Sequence, residues 1–97
     1  MNIIKLNNTE FEVESYNKTT YFNGENVTSN ANMLINTDDI TVLNNLAENP
    51  INTIQILHDN DVIYNLTNAN AQIENINEYL NFDKMNINVN LRFDNVE

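Results

Sequence analysis

Few side chains here can do acid–base, metal or nucleophilic chemistry, and their spacing restricts them further. His58 is the only histidine and cysteine is absent, so a two-histidine metal site, a cysteine zinc site and a thiolate nucleophile are excluded. A serine nucleophile would depend on His58 as its base, and Ser15 and Ser29 both fall at inward or mid-strand positions of the expected strands. The run Asp59-Asn60-Asp61 next to His58 begins like a calcium loop. Its sixth position is Tyr64 instead of glycine and its twelfth is Asn70 instead of glutamate, so it reads as a turn. Asp38-Asp39 could be a carboxylate pair for a metal, but acids where a helix should start are far more often electrostatic caps, and that is the expectation here. Gly24 is the only glycine, which leaves no glycine-rich phosphate loop. No cofactor is implied, and catalysis is not expected.

Two rows of polar residues remain as candidates for recognition. Glu10, Glu12 and Glu14 alternate along one expected strand, where alternate residues stand about 6.6 Å apart and project the same way. Such a row can imitate a run of phosphates, or it can be an ordinary solvated sheet face. Asn86, Asn88 and Asn90 form the second row. Asparagine hydrogen-bonds without the desolvation cost of a charge, so this face can be buried against another protein more cheaply than an acidic one.

These rows must be held by a small fold. Ninety-seven residues make one domain, and fourteen acidic against four basic side chains give a formal charge of -10. That charge rules out binding to nucleic acid through neutralised phosphates. No apolar run approaches the roughly 20 residues of a membrane helix. The start Met1-Asn2-Ile3-Ile4-Lys5 lacks the apolar core of a signal peptide. The expected location is therefore a virion or the cytoplasm of a host, away from the membrane. Asparagine occurs 24 times, and the four Asn-X-Thr glycosylation patterns, such as Asn7-Asn8-Thr9, arise from that abundance alone.

The hydropathy pattern predicts mainly β structure, with one helix. Ile3–Leu6 and Thr9–Tyr16 read as a hairpin about Asn7-Asn8, with Phe11, Val13 and Ser15 on one face. Residues 17–26 are polar and contain the turn signal Asn23-Gly24. Val27 to Asn36 alternates strictly, placing Val27, Ser29, Ala31, Met33 and Ile35 on one side. Ile40, Leu43, Leu46 and Ala47 then recur at helical spacing; Thr37 can cap the start, and Pro50 follows the end, predicting a helix over about 38–48. Thr53–His58 and Val62–Leu66 flank the Asp59–Asp61 turn. The segment from Ala69 changes phase near Ile76 and Tyr79-Leu80, as a bulge or a short helical turn would. Asn81-Phe82-Asp83-Lys84 turns the chain into the clearest strand, Met85 to Phe93. The expected architecture is a single antiparallel β-sandwich or rolled sheet of about seven strands with one short helix.

This acidic, cysteine-free, asparagine- and isoleucine-rich chain resembles small proteins of phages that infect AT-rich bacteria. Its helix at 38–48, set before hairpins at Thr53–Leu66 and Ala69–Phe93, is similar to the element order of phage tail-tube and related tail proteins. The resemblance implies a virion-associated structural protein that contacts itself or other virion proteins. The strand edges and Asn86, Asn88 and Asn90 would then form the interface. The alternative is an acidic DNA mimic, similar in size and charge to anti-CRISPR proteins. Its partner would be a basic nucleic-acid-binding protein such as a defence nuclease, met first by Glu10, Glu12 and Glu14.

Overall fold

The computed structural model describes residues 1–37, 40–81 and 84–94. Among these residues the chain forms β1 (Asn2–Leu6), β2 (Thr9–Asn23), β3 (Asn26–Asn36), α1 (Ile40–Ala47), β4 (Ile54–His58), β5 (Asp61–Leu66), β6 (Ala71–Asn81) and β7 (Lys84–Phe93). The strands make one antiparallel sheet in the order β5-β4-β1-β2-β3-β7-β6. The fold is thus the rolled-sheet form of the expected architecture.

Left-handed turns make this topology possible in a chain with one glycine. Asn7, Asp59, Asn60, Asn68 and Asn70 all adopt positive φ, beside Gly24 at 63°. Asparagine and aspartate tolerate this region because their short side chains hydrogen-bond locally. Asp59 and Asn60, at 49° and 74°, make a two-residue loop between the paired residues His58 and Asp61, and its twist suits the flanking strands. Asn7 also anchors tertiary structure. Its Oδ1 accepts from the backbone N–H groups of Asn52 (2.9 Å) and Thr53 (3.3 Å), and its Nδ2 donates to the Pro50 carbonyl at 3.2 Å.

One face of the sheet is the core. Ile4, Leu6, Met33, Ile35, Ile54, Val89 and Leu91 are fully buried on it, with Leu43 from α1. Ile40, Val42 and Leu46 pack partly against this core. Ala47, expected in the helix stripe, is exposed. Thr37, expected as the cap, lies three residues before the first residue of α1, and Asp38 and Asp39 between them lie outside the described residues.

The sheet curls toward this face. Tyr16 of β2 and Tyr64 of β5 are separated by two intervening strands in the sheet order, yet their ring centroids lie 5.3 Å apart. The lead-ins to β4 and β6 also meet, with reciprocal Ile51–Ala71 backbone hydrogen bonds of 2.6 and 2.9 Å. Curling lets a single layer plus one short helix enclose a core that a flat sheet would leave half open.

Two features of β2 differ from expectation. A bulge between Val13 and Ser15 shifts the phase of the strand, so that Tyr16 takes the inward place and Ser15 is exposed. The cause is an extra residue, Glu14, which a period-two reading cannot anticipate. Residues 17–23, expected as part of a polar connection, continue β2, and the turn is reduced to Gly24-Glu25. Threonine, tyrosine and phenylalanine at 19–22 favour a strand even without burial. The phase change expected near Ile76 is a bulge between Ile73 and Asn75. Of the expected turn 81–84, Phe82 and Asp83 lie outside the described residues.

Candidate functional site

The outer face of β2, β3, β7 and β6 carries an array of amides. Register places Asn17 opposite Asn32, Asn32 opposite Asn90, and Asn90 opposite Asn75. One row of asparagine therefore crosses four strands. Asn32 Nδ2 donates to Asn90 Oδ1 at 2.7 Å, and Asn90 Nδ2 donates to Asn75 Oδ1 at 2.5 Å. Asn75 Oδ1 also accepts from Asn77 Nδ2 at 3.2 Å. Because an amide both donates and accepts, such a chain polarises each member and holds it in one orientation. In the next row toward the β2–β3 turn, Arg92 donates to Gln72 Oε1 at 3.2 Å. A groove of about 290 Å³ opens above Asn17, Thr19, Asn32, Glu74 and Asn90.

The three asparagines singled out from sequence do not stand alike. Asn90 is half-buried and sits within the amide chain. Asn88, half-buried opposite Asn77, and Asn86, buried opposite Tyr79, each have a buried Oδ1 with no hydrogen-bond partner among the described residues. A buried acceptor left unpaired costs about 1–3 kcal/mol. Asn32 and Asn75, which complete the array, join it only through the cross-strand register; alternation with apolar residues places Asn32 on a polar face, while the bulge between Ile73 and Asn75 hides Asn75 from the same reading.

The glutamate row is less regular than its spacing implies. Glu10 faces Lys5 across β1, with Nζ to Oε2 at 4.0 Å. Glu12 Oε1 accepts from Asn36 Nδ2 at 3.3 Å. Glu14 is the inserted residue of the bulge. Glu25, Glu48, Asp59 and Glu78 belong to different parts of the fold, at a hairpin turn, after α1, at the β4–β5 turn and on β6. Folding thus distributes the acids over several surfaces.

At the β4–β5 turn, Asp59 Oδ1 accepts from the Met1 ammonium at 2.7 Å, and its Oδ2 lies 3.4 Å from His58 Nε2. The ammonium, by hydrogen bond and charge, followed by His58, holds the Asp59 carboxyl below the ordinary carboxylate range. His58 Nδ1 also meets Asn2 Oδ1 at 2.6 Å. This exposed cluster ties the amino terminus to a turn. Among the described residues no three histidine, cysteine or acidic side chains are grouped to hold a metal.

A second concavity, of about 250 Å³, lies between β2 and β5, lined by Val13, Tyr16, Ile56, Ile63 and Tyr64, with Asn2, Glu14 and Ser15 completing its wall. The Tyr16 hydroxyl is buried, and burial, then the neighbouring Tyr64, pushes its phenol above the ordinary tyrosine range. It stays protonated and neutral. Among the described residues, no helix is long and apolar enough to cross a membrane. No protein-family model matches the chain, and no curated protein shows significant similarity to it.

Proposed function

We propose that this chain is a non-enzymatic protein that acts through ordered protein–protein contacts made by the asparagine face of β3, β7 and β6, as a structural, virion-associated component. The observation that carries this reading is the amide chain Asn32–Asn90–Asn75 across the outer face of β3, β7 and β6. An acidic protein repels other acidic surfaces, itself included. An uncharged, pre-oriented hydrogen-bonding face removes that repulsion locally, and its ordering is already complete before contact. The DNA-mimic alternative has weaker support, because Glu10 and Glu12 are engaged with Lys5 and Asn36 and a bulge interrupts the row at Glu14.

The test is the solution mass of the untagged protein by light scattering after gel filtration, at low and high salt, beside Asn88→Lys. The wild type should form oligomers, and the lysine should lower their mass by placing a desolvated charge in the contact. An unchanged mass for a folded Asn88→Lys protein would remove this face as the interface. Inhibition of a DNA-binding nuclease that disappears in the Glu10→Gln, Glu12→Gln, Glu14→Gln triple variant would instead establish the mimic.

A further inference from the structure

We propose that Asn23, the last residue of β2, is a site of spontaneous covalent modification: it closes a succinimide with Gly24, which water opens to aspartate and isoaspartate. The change places a second carboxylate beside Glu25 at the tip of the β2–β3 hairpin. It concerns a different surface from the asparagine face and stands whether or not that face is an interface.

The end of the hairpin is an arm. Pairing of β2 with β1 ends at Glu12, and pairing of β3 with β7 ends at Ser29. Beyond those points β2 and β3 pair only with each other, out to Asn23 and Asn26. A two-stranded ribbon is marginally stable by itself, and its terminal pair opens most readily. Gly24 and Glu25 join that pair as a two-residue loop, with Gly24 at a φ of 63° and Glu25 outside the left-handed region. This is the pattern of a II′ turn. The hydrogen bond of such a turn joins its two outer residues, so the Gly24 N–H is left out of the ladder.

The reaction needs only these two residues and water. The Gly24 nitrogen gives up its proton and attacks Asn23 Cγ; a C–N bond forms, closing the cyclic imide, and the side-chain nitrogen leaves as ammonia. Water then adds to either ring carbonyl. Breaking the bond between nitrogen and Cγ yields aspartate, and breaking the bond to the main-chain carbonyl yields isoaspartate, whose backbone runs through Cβ and Cγ. Nothing is oxidised or reduced. A side chain on the attacking residue would crowd the approach, and glycine has none. Asn23 and Gly24 are both exposed, and a Cβ at Gly24 would meet nothing within 4 Å, so water reaches the ring freely. In an extended strand the Gly24 nitrogen faces away from Cγ, so the step proceeds when the Asn23–Asn26 pair opens.

The fold singles out this asparagine. Of the 24 asparagines, Asn23 alone precedes glycine, and Asn30, Asn68 and Asn70 precede alanine, the next smallest residue. In those three the attacking nitrogen is held. The Ala69 N–H donates to the Asn52 carbonyl at 2.7 Å and the Ala71 N–H to the Ile51 carbonyl at 2.9 Å. Ala31 is buried in β3, paired with Lys18 on one side and Leu91 on the other. Isoaspartate at 23 adds an atom to the backbone of β2 and breaks its last pairing with β3.

The experiment is peptide mapping by mass spectrometry of the full chain held in mildly alkaline buffer, with fragmentation that separates aspartate from isoaspartate. Both products should accumulate at Asn23, roughly tenfold or more ahead of Asn30, Asn68 and Asn70, and an acidic species should grow on ion exchange. Gly24→Ala should slow conversion roughly tenfold, although the strained turn opens more easily, because the methyl group hinders attack. Urea should speed conversion of the natural sequence, since unfolding removes the strand geometry. Conversion at another asparagine first, an unchanged rate in Gly24→Ala, or conversion confined to the urea-unfolded chain would each overturn the inference.

Discussion

The two faces of β7 share one backbone and one register, yet they have opposite physical characters. Inward, Ile87, Val89, Leu91 and Phe93 are buried at 4% exposure or less. Outward, Asn90 is in a hydrogen-bonded amide chain while Asn86 and Asn88 keep buried acceptors without partners among the described residues. The inner face supplies non-directional stability, roughly in proportion to the area removed from water. The outer face contributes little net free energy per contact, but each contact has a direction. Alternation along a single strand has separated holding the fold together from presenting a surface.

Three substitutions sharpen or break this contrast. Leu91→Ala should cost the most, about 2–5 kcal/mol, because Leu91 is fully buried and the lost methyl groups leave a cavity. Urea denaturation measures it; a loss under 1 kcal/mol would mean that the core beneath β7 is loosely packed. Asn90→Ala should cost about 1 kcal/mol in the same titration, since it removes two amide hydrogen bonds that solvent partly replaces. A cost as large as that of Leu91→Ala would abolish the distinction between the faces.

Asn86→Leu should have the smallest effect and the opposite sign. It removes a buried oxygen that has no partner among the described residues and keeps the volume, so the isolated chain should gain a few tenths to about 1 kcal/mol. If the protein instead loses stability, Asn86 Oδ1 is satisfied within the folded chain.

Much of this organisation is legible in the residue pattern. The alternation from Met85 to Phe93 and from Val27 to Asn36 identifies two inner strands and assigns their faces, because a half-buried strand leaves a period of two. Ile40, Leu43 and Leu46 locate the helix for the analogous reason at a period of 3.6. The pattern is misleading where a residue is inserted. Past Glu14 the inward position passes from Ser15 to Tyr16, and no side-chain type announces that change. The arm at residues 17–23 is missed because its strand is stabilised by pairing with β3 instead of by a buried face.

The candidate surfaces divide in the same way. Asn86, Asn88 and Asn90 can be picked out along the chain because they share one strand. Their neighbours Asn32 and Asn75 lie far away in sequence and join the array only through cross-strand register. The Tyr16/Tyr64 cavity is less accessible still, since it exists only because the sheet curls.

By itself, then, the sequence determined the β-rich class, the order of strand and helix, the sign of the charge and the split between apolar and amide faces. Each of these depends on composition or on contacts between near neighbours, where spacing fixes direction. Tertiary structure alone decided the roll of the sheet, the four-strand asparagine row, the dispersal of the acids, and the cavity between Tyr16 and Tyr64. Those properties depend on which distant segments become neighbours, and that choice is made by the packing of the whole core.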